Sequence, residues 1–496
     1  VLFRFPYVIL YYFACKGSNF IQYMQGNGDF FSVKCMVYGV EVRDTRIDKS
    51  IHFSKKCSLC LRMCIFCSNF APLNSMKIDM MKSVRFIPLV LLCVLTACHS
   101  NTSSCSSASP VAEWNRATQI LMHTPGEELF NGAINPLAAL FEYYFDVDSA
   151  AIEHKNYIAM LEANDIEVMT VSEILQQAPI EALRDYVSNV LQYESDIEES
   201  DNLAVSDSYR KETIAQMSRN DLISCILLQP TVRLTATDIN TGVEAQYLQS
   251  PLFNLYFTRD QSISTPKGQI ICNMNSAQRS KETDLIAFCY EQMGVKPILR
   301  ITGEGRLEGG DYIPAGTRAF IGCGMRTNIE GIQQIMRADG FGHDTVVVVK
   351  DRKWWQMQMH LDTYFNIIDR DLCTLVESRL HATDQDPEWV SVDVYTRAED
   401  GISYRLDQAD IPLVAYLQGI GFSIIPISEE DELHYANNYL TIAPRHIMAV
   451  ANQSHTLVQA FEQHGVKVEW VPLENLIKGY GAAHCMTQVI RRKRTS

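Results

Sequence analysis

An α/β fold assembled from repeated helix-to-strand units is predicted by three features of this 496-residue chain. Five times an amphipathic helical stretch ends at Gly or Asn and gives way within a few residues to a short apolar or alternating strand. The spacing of the five is irregular, which excludes a solenoid period and leaves closure into a ring as the way for five like units to cover one another. The long interval between the first and second units reads as helical, so a subdomain is inserted there from about residue 171 to 234.

The first unit is AIEHKNYIAMLEANDIEVMTV, in which a helical stripe stops at Asn164 and a strand follows. The insertion contains VSEILQQAPIEALRDYVSNVLQ and KETIAQMSRNDLISCILL, two helical patterns on either side of the acidic linker YESDIEESD. Beyond it come DLIAFCYEQMGVKPILRI, EGIQQIMRADGFGHDTVVVV, IPLVAYLQGIGFSIIPI and HTLVQAFEQHGVKVEWVPL, each with a glycine between its helical and extended halves. Glycine there lets the chain leave a helix through a left-handed turn.

With 47% apolar residues the chain can bury a sizeable core. Its net charge of -15 argues against nucleic acid as a partner, because phosphate binding needs clustered Lys and Arg. The tight basic run Arg491, Arg492, Lys493 and Arg494 reads as a solvated tail over residues 492–496. Cysteines are concentrated at or before Cys105. The six that follow, Cys225, Cys272, Cys289, Cys323, Cys373 and Cys485, have no paired spacing, so no disulfide framework is expected.

Residues 1–80 lack a steady hydrophobic period and read as an upstream extension outside the working protein. Within them Cys57, Cys60, Cys64 and Cys67 have ligand-type spacing, with a gap between the pairs far shorter than a zinc ribbon uses. Residues 81–98 read as a secretion signal: Lys82 and Arg85 are a basic start, and Phe86 to Leu95 is an apolar run too short to span a bilayer. Leu95, Thr96, Ala97 and Cys98 then resemble a bacterial lipobox, which makes Cys98 the expected lipid anchor and residues 99–111 a Ser-rich tether. The location implied is the cell envelope; cytoplasm is the alternative.

Chemistry-bearing residues recur in four places. Asp260 ends NLYFTRD, where it can be a turn residue or an ion-pair partner of Arg259. Glu308 precedes Gly309, Gly310 and Asp311, a sequence suited to a tight turn presenting a carboxylate at the end of a strand, though ordinary as a loop. His360 and Asp362 stand two apart, which in a strand puts both on one face; no further Cys or His cluster supports a metal. Cys485 lies in GYGAAHCMTQ close to the C-terminal end. A thiol, a histidine and several acids together suggest a nucleophile with a base partner and a site for a cationic substrate.

The segments NLYFTRD, RSKET, RLEGGDYIP, GMRTN, QMHLDTYF and GYGAAHCMT, with EWNRATQILMHTPGEELF near the start, resemble in order and spacing the arginine deiminases of the guanidine-modifying superfamily. The resemblance runs from about Ala112 to about Arg491. It implies a five-bladed α/β propeller of the pentein type over residues 112–491 and hydrolysis of free L-arginine without metal or organic cofactor. It also implies Cys485 as nucleophile, His360 as its acid/base partner, Glu308 orienting His360, and Asp260 and Asp362 gripping the guanidinium. Asn254, Arg279, Arg326 and Gly479 are implied at the carboxylate and backbone end of the substrate. Tyr480 stands where some members carry another carboxylate-binding Arg. The rival readings are an amidinotransferase, a deiminase of agmatine or peptidyl arginine, and a non-catalytic envelope binding protein. Association into a homo-oligomer is left open.

Overall fold

In the computed structural model the described residues are the strands between 9 and 41, then 111–199 and 202–494. The chain divides into two units, Val1–Thr102 and Ser103–Ser496. In the first, Ile9–Tyr11, Ile21–Gly26, Phe31–Val37 and Val40–Glu41 form an antiparallel four-stranded sheet. Sequence periodicity gave no hint of this sheet; its segments are short and rich in the aromatic and β-branched residues that favour extended backbone. Cys57, Cys60, Cys64, Cys67, the expected signal at 81–98 and Cys98 lie outside the described residues.

The second unit is mixed α/β, and its repeated element is a hairpin followed by a helix and a third strand. All five sequence units fold this way. Their helices are Val147–Ala163, Glu282–Gln292, Ile329–Arg337, Leu413–Gly419 and His455–Gln463. The strands that follow are Glu167–Thr170, Leu299–Arg300, Thr345–Asp351, Ser423–Ile427 and Lys467–Val471, and each pairs in parallel with the second strand of its hairpin. Between helix and strand the chain passes through a left-handed residue each time: Asp165, Gly294, Asp339, Gly421 and Gly465. This turn ends the helix and satisfies its last carbonyls.

Local sequence explains the helices. Asn328 accepts the Gly331 N–H at 2.9 Å and Ser454 accepts the Leu457 N–H at 3.2 Å, so both helices start on capping side chains. Ile332, Ile335 and Met336 then face the core at helical spacing. Burying each such side chain contributes about 1.5–3 kcal/mol of transfer free energy.

The hairpins are Ser262–Thr265 with Gly268–Ile271, Tyr312–Ala315 with Arg318–Cys323, Phe365–Asp369 with Leu372–Val376, and Leu440–Ala443 with His446–Val450. The fifth pairs Arg116–Met122 with Gln488–Lys493, joining the two ends of the unit in one sheet. The last strand therefore includes Arg492, which is 2% exposed and ion-paired to buried Glu113. The expected basic tail is corrected here: Arg491, Lys493 and Arg494 face solvent, but Arg492 is a core residue. The sheet begun by Tyr312–Ala315 is widened by an antiparallel pair, Val390–Arg397 and Tyr404–Pro412.

The insertion contains the helices Val171–Gln177, Ile180–Val190, Asp207–Gln216 and Arg219–Leu228. It also carries a three-stranded sheet, Gln192–Ser195, Pro230–Ala236 and Val243–Gln249, so it extends past the expected limit at 234. The six cysteines from Cys225 onward are all free thiols.

Candidate active site

Each of the five hairpins is entered from a segment that delivers a functional side chain. Asp260 lies just before Ser262–Thr265, Glu308 before Tyr312–Ala315, His360 and Asp362 before Phe365–Asp369, Asn438 before Leu440–Ala443, and Cys485 before Gln488–Lys493. Equivalent positions in five units thus converge on one place. Asp260, His360 and Cys485 line a common cavity with Asn254, Arg279 and Arg326, and Gly479 and Tyr480 border it.

The local structure differs from the sequence expectation at two points. Asp260 ends a run of turns, as one reading had it, but its ion-pair partner is Arg279 and not Arg259. His360 and Asp362 do not share a strand face: His360 is the N-cap of the short helix Leu361–Tyr364, inside which Asp362 lies. Asp311 Oδ1 accepts the Leu361 N–H at 3.0 Å and supplies the cap that His360 itself does not. Burial raises the Asp311 carboxyl to about 6.

His360 Nε2 bonds Glu308 Oε2 at 2.8 Å, while Nδ1, without a hydrogen-bond partner, lies 3.7 Å from Asp260 Oδ1. Burial alone would depress the imidazole, but the Asp260 charge and the Glu308 hydrogen bond outweigh it and raise His360 to about 9. Glu308 moves the opposite way. Burial pushes it up, yet the His360 bond and the Arg326 charge bring it down to about 2. Gly310 makes room for the ring, since a Cβ there would fall 2.7 Å from His360 Nδ1. Asp260, Glu308 and His360 offer atoms within 4.8 Å of one another, a metal-ligand combination by residue type. The raised pKa of His360 sets a positive charge between these two carboxylates.

Cys485 is 2% exposed and its Sγ lies 3.6 Å from Asp362 Oδ2. Burial and the charges of Asp362 and Asp260 hold the thiol well above its usual range. The same Asp362 oxygen accepts from His484 Nδ1 at 2.6 Å, leaving Oδ1 without a partner. Asp260 shows a similar division: Oδ2 takes Arg279 Nη1 at 2.7 Å, and Oδ1 accepts no hydrogen bond, lying 3.7 Å from His360 Nδ1. Each acid therefore keeps one buried oxygen available to a cationic ligand.

Asn254, Arg279 and Arg326 reach the cavity with different freedom. Asn254 donates to Ala139 O at 2.9 Å. Arg279 is engaged at all three nitrogens, by Glu282, Asp260 and Asn254 O, and so braces Asp260. Arg326 donates from Nη2 to Gln356 Oε1 at 3.0 Å and leaves Nε without a partner. Gly479 is required by close approach, because a Cβ would meet the Tyr256 hydroxyl at 1.9 Å.

Sequence reasoning missed Asn438, whose Oδ1 accepts the N–H groups of Ala482 at 2.8 Å and Cys485 at 3.2 Å. Its Nδ2 donates to Asp362 O at 3.2 Å, so one amide ties the loop carrying Cys485 to the helix carrying Asp362. Its place ahead of the fourth hairpin was the available signal. His484, Glu113 and Arg492, which continue the polar chain behind Asp362, were also missed.

A family model described as arginine deiminase matches residues 138–492. The chain belongs to the arginine deiminase family. Among relatives, the arginine deiminase of Halobacterium salinarum is 25% identical over 484 residues, covering 77% of this chain and 96% of that one. That of Borreliella afzelii is 26% identical over 414 residues, covering 77% and 97%. Solved structures similar to this family member include a DDAH from Pseudomonas aeruginosa complexed with citrulline, at TM-score 0.45 and 17% identity, covering 75% of this chain and 99% of that one. The N-terminal domain of ArgZ, an arginine dihydrolase from cyanobacteria, has TM-score 0.46 and 15% identity, covering 76% and 98%.

Proposed function

We propose that this chain hydrolyses free L-arginine to L-citrulline and ammonia through a covalent intermediate on Cys485. The observation that carries this reading is the convergence of the Cys485 thiol, the His360 imidazole and the Asp260 carboxylate on one cavity, with Asp362 3.6 Å behind the thiol. The open oxygens of Asp260 and Asp362 suit the donors of a planar guanidinium. Burial and the charges of Asp362 and Asp260 keep the empty-site thiol protonated; the substrate's cation, placed against those acids, offsets their repulsion, and Cys485 releases its proton to solvent as substrate enters.

Thiolate Cys485 then adds to the guanidinium carbon. His360, held through Nε2 by Glu308, gives its Nδ1 proton to the departing nitrogen. Carbon–nitrogen cleavage releases ammonia and leaves an S-alkylthiouronium on Cys485. The neutral His360 next takes a proton from water, hydroxide adds to the same carbon, and the carbon–sulfur bond breaks to release thiolate and citrulline, the proton of the added hydroxyl passing to solvent. The five like units, one of them joining both ends of the domain, support closure into a five-bladed α/β propeller around this site.

One observation favours a second reading, hydrolysis of a guanidine without a carboxylate such as agmatine. Tyr480 is neutral and Arg279 is committed to protein acids, so carboxylate recognition falls mainly on Arg326. Incubating the purified full chain with each compound and measuring citrulline, carbamoylputrescine and ammonia decides between them, with Cys485→Ala as the inactive control. No product from either compound overturns the hydrolytic reading. The sequence also supports an envelope location through lipidation of Cys98.

A further inference from the structure

Arg326 stands in the cavity wall with its bonding incomplete. It is 5% exposed, its Nε has no partner, and Nη2 donates to Gln356 Oε1 at 3.0 Å. A guanidinium fork matches a carboxylate with two parallel N–H···O bonds, a geometry one amide oxygen does not satisfy. Arg279, on the same cavity, already gives its nitrogens to Glu282, Asp260 and Asn254 O.

Gln356 is weakly held at its other end. Its Nε2 donates to the thioether of Met359 at 3.3 Å, a poor acceptor. On one side of it stand Trp354 and Trp355, 74% and 40% exposed. On the other, Gln358 is fixed by Arg379 Nε at 2.9 Å and by Glu432. Gln356 itself is half-buried, between a fixed neighbour on one side and two exposed ones on the other.

We propose that Gln356 is a specificity-determining residue: its amide oxygen occupies the Arg326 donor that an α-carboxylate needs, so arginine enters by displacing it, whereas agmatine enters with the Arg326–Gln356 bond intact. The proposal rests on the reading of this cavity as a guanidine-hydrolysing site. Removing the amide frees Arg326 for a carboxylate. A carboxylate at the same position binds Arg326 as an internal competitor and favours a ligand with no anionic end.

The test is calorimetric binding of L-arginine and agmatine to the full chain carrying Cys485→Ala, alone and combined with Gln356→Ala or Gln356→Glu. The preference for arginine over agmatine is expected to rise about 3- to 10-fold in Gln356→Ala, the range of a typical net hydrogen bond, and to fall at least about tenfold in Gln356→Glu, the lower end of a hydrogen bond between charged groups. Equal weakening of both ligands, or shifts in the same direction in both variants, overturns the proposal, as does a failure of every protein to bind either ligand. Product formation by the unmodified enzyme is measured alongside. Opposite shifts without any product keep the role of Gln356 and remove the hydrolytic reading; product without the shifts does the reverse.

Discussion

Replacing Glu308 with Gln tests how the site keeps an imidazolium at neutral pH. The rise of His360 from 6.5 to about 9 corresponds to ~3 kcal/mol in favour of the charged ring. Burial opposes that rise, and Asp260, Glu308 and Asp311 produce it. The Glu308 hydrogen bond, 2.8 Å long and fully buried, joins two charged groups. Such a bond contributes about 1.5–3 kcal/mol, so exchanging the carboxylate for an amide is expected to bring His360 down to about 7–8. With His360 as the first acid of the proposed reaction, the alkaline limb of the rate profile is expected to move down with it.

The assay is an NMR titration of the His360 ring in the full chain, with citrulline formation followed from pH 5 to 10. A midpoint that stays near 9 in Glu308→Gln refutes the assignment of Glu308 as the group that holds the proton on His360. The raised value has a consequence for stability as well. A group whose pKa rises on folding stabilises fully below its unfolded value, here near 6.5, and that contribution is lost as pH climbs through about 9.

Asn438→Ala leaves the N–H groups of Ala482 and Cys485 without their acceptor, and is expected to cost about 1–3 kcal/mol in chemical denaturation together with a lowered kcat. Arg492→Leu strands the buried Glu113 carboxylate and should destabilise by about 3–5 kcal/mol, read as a lowered Tm. That loss should shrink in acid, since protonation removes the stranded charge. Cys98→Ala should abolish incorporation of radiolabelled palmitate; an unmodified protein that takes up no label and is fully active in the soluble fraction removes the envelope assignment.

The helix-to-strand halves of the five units were legible because their signals are local. Apolar stripes such as Ile332, Ile335 and Met336 show a helical period, and a Gly or Asp marks the left-handed exit. The fifth strand pair was illegible for the opposite reason. Arg116–Met122 and Gln488–Lys493 are neighbours only in the folded chain, so nothing local told Arg492 from the exposed cations around it. The insertion's sheet gave little pattern because Val243–Gln249 is largely exposed and alternates weakly. Asp260, Glu308, His360, Asp362 and Cys485 were singled out together through recurring motifs. Asn438 and Gln356 are ordinary amides in sequence, and only their positions in three dimensions give them partners.

The most direct measurement is mass spectrometry of the full chain quenched within its first turnovers on L-arginine labelled at the guanidinium carbon. The account predicts a labelled adduct on the peptide containing Cys485, with the mass of arginine less ammonia, that decays as citrulline appears. Citrulline formed at full rate with no label on Cys485 at any time, or undiminished in Cys485→Ala, would contradict it.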